Sequence, residues 1–364
     1  MKPSTRLMIL ACLLLCAPLM AQAQQKTDKR LLQKISVDFT AKPVEEVLKE
    51  LGEKYKLPVE FDPSVASIGA GSSPFSLTAD GVMLGSVIHL VCESEGLEYT
   101  IEKGRLVVTA PQPEDKLTVR EYAIGTLGSV VDLQLFAVSL VGLTSGAWKD
   151  VDGEGGSITA IKPQSITIQQ TRKVHSELQE LFDQITTALS GRPRVQTAQD
   201  RADQLIIRKL QTPGQLTAGE MPLPELLEQL LKKNGIPHWI DQVALADEGI
   251  DLTKLNSTVE GKKMPAAARL DALTSEHNLS WRVADEVVQI TTAEKANSQL
   301  TVKVYDVRNA NRPLNILAEQ LTSNKDLGPW QIDDGEGGAL LPMGNFLVIR
   351  QSAANHAKIA KLLK

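Results

Sequence analysis

The chain has 364 residues, a formal net charge of −5, 42% hydrophobic and 23% charged residues. That balance excludes wholesale disorder, a fibre or a bundle of membrane spans. Aromatics make up only 4%, and the acidic charge lacks the basic footprint that non-specific nucleic-acid binding needs.

Lys2 and Arg6 precede the apolar run Leu7 to Met20 and then Ala21-Gln22-Ala23. This order predicts a secretory signal peptide over 1–23 with cleavage after Ala23, hence a periplasmic or secreted protein with no integral membrane segment after cleavage. Cys12 and Cys16 leave with the leader. Cys92 alone remains, so no intramolecular disulfide is expected and stability must come from packed cores.

Ile35 to Thr40 alternates apolar and polar residues, the period of a half-buried strand. Pro43 opens a helix whose Val44, Val47, Leu48 and Leu51 share one face. Short strands are expected at Val59 to Phe61 and Phe75 to Leu77, with a Gly/Ser-rich loop, Ser67 to Ser73, between them. A second helix carries Leu84, Val87, Ile88 and Val91, and a hairpin pairs Leu97 to Ile101 with Arg105 to Thr109 across Lys103-Gly104. Pro111 to Asp115 reads as a hinge. Beyond it come a strand (Val119 to Ala123), a helix (Val131 to Leu143), a hairpin (Ser157 to Ile161 with Ser165 to Gln169) and a closing helix with Val174, Leu178, Leu181 and Ile185 on one face.

The pattern then repeats. Trp148 to Gly156 reads W-K-D-V-D-G-E-G-G, and Trp330 to Gly338 reads W-Q-I-D-D-G-E-G-G. Arg120-Glu121-Tyr122 matches Lys303-Val304-Tyr305, and His175 matches His356, at nearly the same shift along the chain. A near-constant shift of this size is a tandem duplication, too long for a solenoid repeat. In the second unit Leu205 to Leu210 is the expected first strand and Thr212 to Met221 an insertion before Pro222. The next helix carries Leu223, Leu226, Leu227, Leu230 and Leu231, and Trp281 to Val283 with Val287 to Ile290 rebuild the hairpin. The fold class is α+β, a tandem duplication of small two-layer modules, four in all.

Residues 33–110, with Ile35-Ser36-Val37-Asp38-Phe39, Pro43-Val44-Glu45-Glu46-Val47-Leu48 and Gly96-Leu97-Glu98-Tyr99, resemble the secretin/TonB short N-terminal (STN) domain. Leu84, Val107 and Val108 also sit where that pattern wants them. Residues 117–188 and 300–364 are similar to the small KH-like βαββα modules that follow this domain in secretins. Residues 189–204 are a linker, and 205–293 a degenerate STN-like module. A secretin continues into a β-barrel and a TonB-dependent transducer into a plug and barrel. These 364 residues hold neither, so the resemblance implies docking modules rather than a pore or transporter.

The acidic loops Asp152-Gly153-Glu154-Gly155-Gly156 and Asp334-Gly335-Glu336-Gly337-Gly338 offer too few alternating carboxylates for a calcium loop and read as turns. His175 and His356 have no second histidine at i+4. His89 and Cys92 at i, i+3 share a helix face, but Cys92 adjoins the apolar stripe of Val87, Ile88 and Val91, and His238 and His277 stand alone, so no metal centre is expected. Carboxylate pairs such as Glu45-Glu46 and Glu93/Glu95 read as solvated helix faces. No nucleophile elbow, H-E-x-x-H, phosphate-binding loop or dinucleotide fingerprint occurs, and the KH-like modules lack the G-x-x-G loop of RNA binders. The expectation is an exported, non-enzymatic adaptor without cofactor. It would dock envelope proteins (a secretin, a secretion or pilus component, a TonB-system protein) or itself through the edge strands Ile35 to Thr40 and Arg105 to Thr109, with Ile35, Val37, Phe39, Leu106 and Val108 as the partner-binding residues. The alternative is a small-ligand sensor whose halves form a cleft around Trp148 and Trp330.

Overall fold

The computed structural model describes residues 28–111, 116–125, 127–191, 198–214, 216, 218–260, 263–310, 312–331 and 337–363. The leader, most of the hinge and Asp334 to Glu336 lie outside them. No helix among the described residues is long and apolar enough to cross a membrane. The architecture is α+β, with several small sheets each backed by helices.

In the first half, β1 (Lys34–Pro43) pairs antiparallel with β3 (Pro74–Met83). β2 (Val59–Phe61) runs parallel to β5 (Arg105–Thr109), which also pairs antiparallel with β4 (Glu98–Glu102). Two amphipathic helices lie between these sheets, α1 (Val44–Lys54) and α3 (Leu84–Ser94), and both follow directly on a strand. Val44, Val47, Leu48, Val87, Ile88 and Val91 are fully buried in the shared core. Asp62 caps a short helix, α2 (Pro63–Ser67), by accepting from Ser64 N at 2.9 Å, and the expected Gly/Ser-rich loop runs from its end to β3. A second core follows, built by β6 (Thr118–Ala123), α4 (Leu133–Leu143), the single turn α5 (Lys149–Asp152), β7 (Ser157–Lys162), β8 (Ser165–Gln170) and α6 (Arg172–Leu189), with sheet order β6-β8-β7.

The second half differs from expectation at its start. Leu205 to Leu210 is not a strand but the end of a helix, α7 (Ala198–Leu210), which also takes up the last residues of the expected linker. Ile206 and Leu210, four apart, are buried while Leu205 is 58% exposed. That is one-sided helical burial, in a run too short for periodicity alone to separate helix from strand. The strand that enters the next helix lies in the supposed insertion. β9 (Gly219–Pro222) leads into α8 (Leu223–Lys232) and pairs with β11 (Asn256–Val259), as β1 leads into α1 and pairs with β3.

β10 (His238–Ile240), parallel to β13 (Val287–Thr292), and β12 (Leu279–Ala284), antiparallel to it, repeat the β2-β5-β4 arrangement. The helices α9 (Gln242–Asp247) and α10 (Ala266–Ser275) stand where α2 and α3 stood. After α11 (Ala293–Ser298), β14 (Leu300–Asp306), α12 (Leu314–Thr322), β15 (Ala339–Met343), β16 (Phe346–Ser352) and α13 (Ala353–Leu362) give the sheet order β14-β16-β15.

The halves interlock twice. β3 joins β10 through His238 opposite Thr78, so one five-stranded sheet, β1-β3-β10-β13-β12, spans both. Trp239 stacks on Phe75 at 6.4 Å and, with Val287, completes the first core. Likewise Leu341, Met343 and Val348 from the carboxyl-terminal sheet complete the second core beneath α4 and α6.

Candidate functional site

β1 lies at the end of the five-stranded sheet and pairs with no second strand among the described residues. Its main-chain groups on that side are a template for an added strand. Ile35, Val37 and Phe39 point into the core, each under a tenth exposed, while Ser36, Asp38 and Thr40 face solvent. The solvent face is tied across to β3 by Ser36 with Asp80 and by Thr78 Oγ1 donating to Asp38 at 2.7 Å. Register shifts flank Val37 to Phe39, which leaves a short regular stretch between two irregular ones. The apolar residues named from the sequence therefore hold β1 in place, and the groups it can offer a partner are its backbone and its polar face.

β5 is not an edge. It is hydrogen-bonded to β2 on one side and β4 on the other, and Leu106 and Val108 are buried. Strand order within a sheet depends on pairing with β2, far upstream of the hairpin, which the hairpin pattern does not encode.

The first acidic glycine loop is held by local contacts. Asp152 Oδ2 accepts from Trp148 N at 2.6 Å, and Trp148 bridges to Gly156. Gly153 and Gly155 take left-handed φ of 79° and 95°, where a side chain would be strained. Gly156 lies against Gln170, whose Nε2 donates to Ala147 O at 2.7 Å. In the second loop Trp330 bridges to Gly338, and Gly338 lies against Gln351, which donates to Leu327 O and Pro329 O. A Cβ on Gly338 would sit 2.7 Å from Arg350 O. The variant Gly338→Ala should therefore lose about 1–3 kcal/mol of stability by urea denaturation. A loss below about 0.5 kcal/mol, the size of an ordinary surface substitution, would contradict the close approach.

The matched histidines hold each closing helix to its first strand. Tyr122 OH lies 2.6 Å from His175 Nδ1, and Thr118 O lies 2.7 Å from Nε2. Tyr305, His356 and Thr301 O repeat this at 2.9 and 2.8 Å. Burial lowers both imidazoles, His356 to about 4, and pushes Tyr122 up to about 12. His238 is also lowered by burial, and His277 Nε2 lies 2.7 Å from Ser257 Oγ. Cys92 is buried and its thiol is pushed up to about 12, chiefly by desolvation, which makes it inert packing.

A cavity of about 630 Å³ opens between α4, α5 and the carboxyl-terminal sheet. Trp148 and Trp330 both line it, with Val138, Val141 and Leu341 among its apolar walls and Gln134 and Asp150 among its polar groups. Val138 and Val151, at 70% and 65% exposure, form an apolar rim.

No protein-family model and no curated protein matches the chain. Solved structures similar to it include the N-terminal domain of the secretin XcpQ from Pseudomonas aeruginosa, at 12% identity over 91% of this chain and 95% of that one, with a TM-score of 0.18. A GspC–GspD complex from the type II secretion system of enterotoxigenic Escherichia coli gives 13% identity over 42% of this chain and 98% of that chain, also with a TM-score of 0.18. The Klebsiella pneumoniae type II secretion outer membrane complex of PulD, PulS and the PulC HR domain gives 13% identity over 87% of this chain and 65% of that one, with a TM-score of 0.26. TM-scores at this level carry no assignment.

Proposed function

We propose that the chain is an exported, non-enzymatic docking protein of the bacterial envelope, built from two STN-like plus KH-like pairs. The observation that carries this reading is the open side of β1, a ten-residue strand at the end of a sheet that both halves stiffen. An extended segment of a partner would add main-chain hydrogen bonds there, and the polar row Ser36, Asp38 and Thr40 would select its side chains. The partner class is an envelope protein of a secretion, pilus or TonB system. A photo-cross-linking residue at Asp38 should capture that partner in envelope fractions, and the same residue at the exposed Glu319 on α12 should not. Equal yields from both positions would remove β1 as the docking strand.

The cavity favours a second reading, a small-ligand sensor, because both matched tryptophans line it. A bound apolar or aromatic molecule would change their fluorescence. Emission that stays constant across a panel of such molecules, with docking at β1 intact, would leave the adaptor reading alone.

A further inference from the structure

We infer that His89, Glu93 and Asp285 form a divalent-cation site that clamps the two halves together, with zinc as the fitting ion. His89 and Glu93 stand four apart on α3, so their side chains share one helix face. Asp285 comes from the turn between β12 and β13 in the other half, which the β3–β10 join brings against α3. One ligand atom from each of the three lies within 4.8 Å of the others. His89 Nδ1 is 3.0 Å from Asp285 Oδ2.

One imidazole nitrogen with two carboxylates is a donor set that zinc accepts, the fourth position going to water. His89 is exposed on its outer side, which leaves an entry path and room for that water. A second observation comes from the carboxylate of Glu93. Its Oε1 already accepts from Arg282 Nη2 at 2.8 Å and from Gln299 Nε2 at 3.3 Å. Its Oε2 is buried and has no hydrogen-bond partner among the described residues. Only that oxygen is buried, the Glu93 side chain as a whole being 20% exposed, and a buried carboxylate oxygen left without a donor is costly, a cost that a cation ligated by Glu93 would offset. Asp285 is held in place by amide donors, with Gln289 Nε2 at 3.1 Å and Gln199 Nε2 at 3.4 Å. Such outer contacts orient a ligand and support the metal.

The sequence hides this site because Asp285 lies in the other half of the chain from His89 and Glu93. The pairing considered there, His89 with Cys92, points the thiol into the core instead.

The test is a titration of the metal-free full chain with zinc chloride, followed by calorimetry and by thermal unfolding. The expected result is one zinc per chain and a rise in the unfolding midpoint. His89→Ala, on an exposed side chain that the fold does not need, should bind at least about tenfold more weakly and lose the rise. Glu93→Gln should weaken binding similarly while keeping a hydrogen-bonding group beside Arg282. Cobalt(II) in place of zinc should give visible absorption in the wild type that disappears in His89→Ala. Wild type that binds no zinc, or zinc bound equally by all three proteins, would overturn the site.

Discussion

Replacing Glu286 with alanine should destabilise the chain by about 2–4 kcal/mol, because it removes a buried carboxylate and leaves the buried Met83 amide without its acceptor. Glu286 is 3% exposed and sits in the β12–β13 turn at a left-handed φ of 62°. It reaches across into the first half, where it accepts from Met83 N and from Lys34 Nζ, and from Ser86 Oγ at 3.1 Å. Its own amide donates to Asp203 Oδ1 on α7 at 2.8 Å. One residue therefore fastens β1, β3, α3, α7 and the second hairpin. Lys34 is half exposed, so its ion pair adds little, and Ser86 Oγ also reaches Gln199 Oε1 at 3.0 Å, so most of the effect comes from the Met83 amide. Urea denaturation would measure the loss, and Glu286→Gln, which keeps one acceptor, should fall between the alanine variant and the wild type. An alanine variant within about 0.5 kcal/mol of wild type, as for a substitution that touches nothing, would mean that the halves are not fastened here.

Acid should loosen the carboxyl-terminal module first. His356 is buried, with Nε2–H donating to Thr301 O and Nδ1 accepting from Tyr305 OH, an arrangement that uses the neutral ring fully. Desolvation lowers its pKa from 6.5 to about 4. The folded protein thus holds this proton less tightly than the unfolded chain. The contribution of His356 is complete above pH 6.5 and is lost as pH falls through about 4. A shift of that size is worth on the order of 3 kcal/mol. His175 acts in the same direction. Asp203 opposes them, because burial raises it to about 6, so its contribution is lost as pH rises from about 4 to 6. The two effects separate by comparing wild type with His356→Gln, in which Asp203 is unchanged. The stability difference between these proteins should shrink by about 3 kcal/mol from about pH 7.5 to about pH 4. A difference that stays constant over this range would show that the ring is not held neutral.

Local pattern made much of the fold legible. Pro43 followed by Val44, Val47, Leu48 and Leu51 encodes both the start and the buried face of α1. The matched tryptophan loops pointed to equivalent turns, and Gly156 and Gly338 owe their place to the glutamines beneath them. What stayed hidden depends on distant pairing. Leu205 to Leu210 carries strand-forming residues, yet only Ile206 and Leu210, one helical turn apart, are buried. Asp285-Glu286 reads as an ordinary polar hairpin turn until the join of β10 to β3, a strand of the first half, brings it against α3. The same limit made β5 look like an edge and left the cavity partly visible, through its tryptophans but not its walls.

The docking strand is tested most directly by amide hydrogen exchange on the purified complex, once cross-linking has identified the partner. The account predicts that amides of Lys34 to Lys42 exchange more slowly in the complex than in the free chain, in the alternating pattern of an added strand. Unchanged exchange along β1, with protection elsewhere in the complex, would contradict it.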